Sequence, residues 1–341
     1  MIRLPDFELR RPRTIEEAAA WLATTPSETM LLAGGTDLVP NMKRRQQMPK
    51  TVVSLRPLAA LGRIHRRGDG LAIGATVTLT EVVRDASLRA AAPGLWQAAA
   101  QVATPQLRNM GTIGGNLCLD TRCTYYDQSY EWRKAINFCM KKDGDICWVA
   151  TSSPKCLAVS STDTAPMLQA LGASVRLVSA SGERTVGVAD LFQNDGIHYL
   201  TRRPDEILVE VQLPNLAGWR STYWKLRRRG SFDFPVASAA VAARLSGAGE
   251  VEAIRVVLGA VASRPLASPA AESRLAGRRL TDEVIAEAAD AAYAVAKPMD
   301  NTDYELVWRK KMVRALVTNA LCEIRGDDVR QARLSLARQG L

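Results

Sequence analysis

Residues Thr14 to Thr24 repeat alanine and leucine with a helical period. Thr14 is followed three positions later by Glu17, the spacing at which a hydroxyl and a carboxylate satisfy the free N–H groups of a helix start, so a helix is predicted there. The apolar run Met30-Leu31-Leu32-Ala33 ends at Gly34-Gly35, and Thr51 to Leu55 is a second apolar, β-branched run. Together these predict a small βαβ-like first lobe over about residues 1–56. A second lobe follows over about 57–216. It has a strand at Leu71 to Val77, helices at Leu79 to Arg84 and Pro93 to Thr104, and a glycine-rich break at Gly111 to Gly115.

From about 118 to 160 the chain turns polar, aromatic and cysteine-rich and loses its period, as an insertion would, whereas α/β patterning returns at Ala165 to Ala170 and Ser174 to Val178. Strands are predicted at Glu206 to Leu213, Ser221 to Arg227, Pro235 to Leu245 and Val251 to Val261. Helices follow at Glu283 to Ala296 and Tyr304 to Arg325, which gives an α+β C-terminal domain over 217–330 and a tail over 331–341.

Composition narrows this picture. The 341 residues are 47% hydrophobic and 23% charged, as in globular chains, so the fold needs neither a disulfide scaffold nor a disordered state. No stretch is apolar enough to span a membrane and the first residues lack a signal core, so the chain is expected to be cytoplasmic, with no membrane partner. The net charge of +10 favours acidic partners. The basic runs Lys43 to Arg45 and Arg227 to Arg229 do not alternate with aromatics, and no nucleic acid is expected. His65 and His198 are the only histidines, which excludes a multi-histidine metal centre.

Two glycine turns carry the candidate chemistry. Ala33-Gly34-Gly35-Thr36-Asp37 directly follows an apolar strand, and Gly111-Thr112-Ile113-Gly114-Gly115-Asn116 follows a helix. In both, missing side chains leave backbone N–H groups free to approach phosphate oxygens. Neither turn has the spacing and context of a dinucleotide-binding fingerprint.

The pair of turns resembles those of the FAD-binding subunits of the molybdenum hydroxylase (xanthine oxidase) family, as do Ser161 to Pro166, Asp205 to Leu208 and Tyr223 to Arg229. The resemblance covers nearly the whole chain. It implies a two-lobed, vanillyl-alcohol-oxidase-like (PCMH-type) FAD-binding domain over 1–216, followed by a C-terminal domain of the CO dehydrogenase flavoprotein type. It also implies FAD contacts at Met30, Leu31, Leu32, Ala33, Gly34, Gly35, Thr36, Asp37, Val102, Thr112, Ile113, Gly114, Gly115, Asn116, Asp163, Leu208 and Lys225. No catalytic residue is expected in this chain. Molybdopterin and [2Fe-2S] centres would belong to large and small partner subunits.

Asn116 and Asp163 stand 47 positions apart, farther than in ordinary members of that family. The intervening segment carries Cys123, Cys139, Cys147 and Cys156, spaced by 16, 8 and 9 positions. That is the thiolate count of a [4Fe-4S] cluster, although spacing alone leaves zinc as a competitor. Cys118 and Cys322 are assigned to packing. Cys118 to Ser129 with the spaced cysteines resembles the 4-hydroxybenzoyl-CoA reductase beta-subunit family, which implies a [4Fe-4S] cluster, ferredoxin as electron donor, and reductive dehydroxylation to benzoyl-CoA on a partner subunit. The reverse electron flow of aldehyde or N-heterocycle hydroxylases is the alternative, and a nonredox zinc subunit a second. A modest basic excess that includes Lys141 and Lys142 suggests a ferredoxin-docking face.

Overall fold

A computed structural model describes residues 3–230 and 232–338. Strands β1 (Glu8–Arg10), β2 (Thr29–Leu32) and β3 (Thr51–Ser54) form a parallel sheet in the order β1-β3-β2. The short helix Leu38–Lys43 lies on the β2–β3 crossover, so the βαβ unit is present, with β1 as a strand the apolar pattern did not reveal. The first helix runs Ile15–Thr24. The Thr14 hydroxyl accepts the Glu17 N–H at 3.1 Å, but the Glu17 carboxylate takes the N–H of Arg13 rather than that of Thr14.

The second lobe is an antiparallel sheet of β4 (Ile64–Arg67), β5 (Gly70–Gly74), β6 (Ser174–Ser179), β7 (Gly182–Gly187) and β8 (Ile207–Leu213), ordered β4-β5-β8-β6-β7. The predicted helix over Pro93 to Thr104 ends at Ala100. Thr104 is extended and caps a new turn, Pro105–Arg108, because its hydroxyl accepts the Leu107 N–H.

The C-terminal sheet contains β9 (Trp219–Leu226), β10 (Ala237–Leu245), β11 (Val251–Gly259) and β12 (Leu266–Ala267), ordered β12-β11-β10-β9 and antiparallel throughout. Strand β10 is almost wholly apolar because both its faces are covered. Ala240 and Ala242 join the core of the second lobe, whereas Ala239, Val241 and Ala243 join a second core with helices Asp282–Val295 and Leu306–Arg325. The small side chains let both layers approach closely.

The segment expected as a tail contains a helix, Arg330–Arg338. Arg333 pins it back on the domain by lying 4.2 Å over the Trp224 ring and donating to Glu323 at 2.6 Å. Among the described residues no helix is long and apolar enough to cross a membrane.

Candidate functional site

The carboxyl ends of β2 and β3 open into a long cleft of about 1380 Å³. Its walls come from both glycine turns, the segment Ser161–Asp163, the loop Gln193–Leu200 and the loop Phe232–Pro235 of the C-terminal domain. A crevice beyond the carboxyl ends of parallel strands is a frequent ligand site in α/β folds. Ala103 and Phe232 both line the cleft. Both hold left-handed backbone conformations (φ 44° and 74°), and the Phe232 N–H donates to the Ala103 carbonyl at 3.3 Å. Such strain in non-glycine residues persists where surrounding structure enforces it and clusters at functional sites.

The two glycine turns differ in what they offer. In the first, the N–H groups of Gly34, Gly35, Thr36 and Asp37 donate to no other group among the described residues, and all four residues line the cleft. Gly35 has φ +73°. A Cβ on Gly34 would stand 1.8 Å from the Met110 carbonyl oxygen, so this glycine lets the two turns touch. In the second turn all but one of the N–H groups are already engaged: Gly111 to the Leu107 carbonyl, Ile113 to Val77, Gly114 to Ala75, Gly115 to the Thr112 hydroxyl and Asn116 to the Thr112 carbonyl, while that of Thr112 donates to no group among the described residues. The backbone donors of a phosphate cradle therefore come mainly from the first turn, while the second supplies the Thr112 N–H and a smooth wall. A Cβ on Gly115 would have only Thr112 Oγ1 nearby, at 3.0 Å, with the cleft otherwise open before it.

Ser161 adds a buried hydroxyl on the cleft wall whose oxygen has no partner among the described residues. A buried polar atom without a partner is costly, and a polar ligand in the cleft would satisfy it. Asn116 uses its carboxamide oxygen to accept from the Thr162 and Thr164 hydroxyls, each at 2.7 Å, and from the Thr164 N–H at 3.2 Å. It thereby ties the end of the insertion back to the second turn.

Asp163 lines the cleft and is held by Lys225 Nζ at 2.9 Å and by the Tyr223 hydroxyl at 2.8 Å. Lys225 does not reach the cleft. Its side chain is wholly buried and donates to Asp163 and to the Gln101 carbonyl at 3.0 Å, so it positions Asp163 instead of meeting a ligand. Burial pushes the Asp163 carboxyl up and the Lys225 ammonium down, and each opposes the shift of the other. Ile113 is likewise off the cleft wall, with its side chain in the core of the second lobe. The other fifteen expected contacts, Met30 through Asp37, Val102, Thr112, Gly114, Gly115, Asn116, Asp163 and Leu208, all line one cleft.

The insertion has one short helix, Tyr130–Ala135, and otherwise folds around its cysteines. Cys123, Cys139, Cys147 and Cys156 are all buried, and three of them share an apolar cluster with Tyr126 and Ala158, against which Tyr125 and Trp148 pack. Trp132, on that short helix, is exposed and takes no part in the cluster. Burial pushes the Cys123 thiol up to about 12 and the Cys156 thiol up to about 11, and the other three cysteines lie near enough to raise Cys123 further.

Both thiols sit in the same local motif: the N–H two residues on, Tyr125 for Cys123 and Ala158 for Cys156, donates to the sulfur, at 3.4 Å in the second case. This turn favours a thiolate, the form that binds metal. Among the described residues no three of these side chains converge as ligands of a single ion would. A cube of four irons holds its thiolates farther apart, because each binds its own iron. Cys118 packs against the core of the second lobe and Cys322 against that of the C-terminal domain, neither in the apolar cluster of the insertion.

The expected basic docking face is not a face. Lys141 is buried and makes hydrogen bonds of 2.8 Å to Asp120, 2.8 Å to the Thr121 hydroxyl and 2.6 Å to the Gly196 carbonyl, while Lys142 is half-buried and paired with Asp143 at 3.1 Å. Arg122 was not singled out from the sequence. It reaches Asp37 of the first glycine turn, donates to Asp127 at 3.1 Å and to Asn41 at 3.2 Å, and lies 4.9 Å beneath the Phe234 ring. Its partners are up to 85 positions away, and no local pattern announces them.

Residues 5–216 match the family model described as the FAD binding domain in molybdopterin dehydrogenase, and residues 221–324 match the CO dehydrogenase flavoprotein C-terminal domain. The chain is 30% identical over 320 residues to the carbon monoxide dehydrogenase medium chain of Hydrogenophaga pseudoflava, covering 93% of this chain and 96% of that one. It is 30% identical over 324 residues to the aldehyde oxidoreductase FAD-binding subunit of Escherichia coli, covering 92% and 98%. A solved structure of carbon monoxide dehydrogenase from Hydrogenophaga pseudoflava superposes with a TM-score of 0.77 at 28% identity, covering 98% of this chain and 99% of that one. With family models spanning both domains and relatives matched over nearly their whole length, the chain belongs to the FAD-binding medium-subunit family of the molybdenum hydroxylases.

Proposed function

We propose that this chain is the electron-transfer flavoprotein subunit of a complex whose large and small partner subunits carry molybdopterin and [2Fe-2S] centres, and that its insertion holds a [4Fe-4S] cluster. The cleft supports the flavin part: four unpartnered N–H groups of the first turn face it together with the lone Ser161 hydroxyl. FAD bound there supplies exchange of electrons singly or in pairs. The first turn would hold its phosphates, Gly115 gives it room, and Asp163, fixed by Lys225 and Tyr223, offers a carboxylate to a donor on the ligand.

The named relatives are a carbon monoxide dehydrogenase chain and an aldehyde oxidoreductase subunit. They support a complex that oxidises its substrate, with electrons leaving outward through this subunit. The four-cysteine insertion favours a second reading, a 4-hydroxybenzoyl-CoA reductase in which a low-potential donor such as ferredoxin feeds electrons inward. There the ring C–O bond would break on the partner subunit, with two electrons and two protons taken up and water released.

Anaerobic assay of the intact complex separates the two. Formation of benzoyl-CoA from 4-hydroxybenzoyl-CoA with reduced ferredoxin supports the reductase. Bleaching of the flavin by an aldehyde or N-heterocycle, with no dehydroxylation, supports the outward reading.

A further inference from the structure

We infer that Lys141 sets the reduction potential of the metal cluster in the insertion. The inference rests on the reading of Cys123, Cys139, Cys147 and Cys156 as the ligands of a [4Fe-4S] cluster.

Lys141 lies two residues past Cys139, and through Gly196 it is one hydrogen-bonded residue away from Cys156. All three of its N–H donors have protein acceptors: Asp120, the Thr121 hydroxyl and the carbonyl of Gly196. The ammonium also sits 4.9 Å from the Tyr126 ring and 5.5 Å from the Tyr199 ring, between two π-faces.

Two of these three anchors connect the cysteines to the cleft. Gly196 donates its N–H to the Cys156 carbonyl at 2.8 Å, and a Cβ there would meet the Cys156 sulfur at 2.7 Å. Its neighbours Ile197, His198 and Tyr199 line the cleft. Asp120 also lines the cleft, and its N–H donates to Asp37 of the first glycine turn at 3.3 Å. A cation fixed by three hydrogen bonds, its side chain only 7% exposed, therefore occupies the wall between the cysteines and the cleft.

Reducing an iron–sulfur cluster adds one electron and so one negative charge. A buried positive charge beside it favours the reduced form, and Asp120 disfavours it. Lys141 touches no reacting atom; it is a positioning residue that acts through its field and through the wall it holds.

Removing Lys141 alone would also break its ion pair with Asp120, so the lysine is tested in protein that already carries Asp120→Asn. The whole protein, purified anaerobically, is titrated with dithionite and the cluster followed by low-temperature EPR. Asp120→Asn should raise the midpoint above wild type. Adding Lys141→Gln, which keeps a donor for the Gly196 carbonyl, should then lower it by at least tenfold in the reduction equilibrium, about 59 mV for one electron.

A purely structural role would lower the iron content or melting temperature of both variants without opposite shifts in potential. Equal midpoints in Asp120→Asn and Asp120→Asn with Lys141→Gln, at full iron content, would overturn the inference while the cluster stands. Wild-type protein without iron and sulfide would overturn the cluster reading itself, and this inference with it. Should the Lys141→Gln variant lose iron, Lys141→Met combined with Asp120→Asn carries the comparison with the same expected sign.

Discussion

Replacing Lys225 by Met tests whether Asp163 is held as a buried carboxylate. In the native chain both side chains are almost wholly inside the protein, 2.9 Å apart, and the Tyr223 hydroxyl completes the site. Methionine matches the lysine stem but removes the ammonium, so Asp163 must either stay charged without a counter-ion or take up a proton. Breaking a buried pair from one side costs about 3–5 kcal/mol.

The sign with pH follows from where the proton goes. Burial already pushes Asp163 up, and without Lys225 nothing comparable opposes it, so its folded-state pKa lies further above its unfolded value. A carboxyl raised in this way destabilises the fold at high pH. That penalty shrinks by about 1.4 kcal/mol per pH unit as pH falls below the folded pKa, and it vanishes near the unfolded one.

Urea unfolding followed by tryptophan fluorescence at pH 8 and pH 5.5, with excess FAD throughout, gives the measurement. Lys225→Met should lose several kcal/mol relative to wild type at pH 8 and distinctly less at pH 5.5. Adding Asp163→Asn should recover much of the loss at pH 8 and remove its pH dependence. A loss under about 1 kcal/mol, or one equal at both pH values, would refute the charged buried pair.

Gly115→Val should fold yet lose FAD, because its new side chain points into the open cleft, whereas Gly34→Ala should fail to fold because its Cβ collides with the Met110 carbonyl; flavin content and circular dichroism separate the two. Serine at Cys123, Cys139, Cys147 or Cys156 should abolish or convert an iron–sulfur EPR signal that Cys322→Ser leaves in place, and loss in Cys322→Ser would undo the ligand assignment. Arg309→Met removes a buried guanidinium that donates to the carbonyls of Val236, Met299 and Ala260. It should cost about 3 kcal/mol or more in chemical denaturation, since those acceptors lose their donors.

The elements with strong periods were legible from the chain, and so were the two glycine turns, because a strand that stops at Gly34-Gly35 is a local pattern. Strand β1 was not, since Glu8-Leu9-Arg10 is mostly exposed and has no apolar alternation to read. The fifteen expected contacts that line one cleft came from the resemblance those motifs carry, but the roles within the cleft did not. Gly34 and Ile113 are set by packing, and Lys225 by a carboxylate 62 positions away. Lys141 misled because a lysine in a polar segment reads as surface, whereas here Asp120, Thr121 and the distant Gly196 give its ammonium a buried seat. Arg122 and Ser161 matter through partners, or the lack of one, that only the folded chain reveals.

Cofactor content per chain tests the central claim most directly. Protein purified anaerobically is assayed for released flavin, iron, acid-labile sulfide and zinc, alongside its visible spectrum. The account predicts one FAD together with about four irons and four sulfides per chain. A chain that binds no flavin, or that carries zinc in place of iron and sulfide, would contradict it.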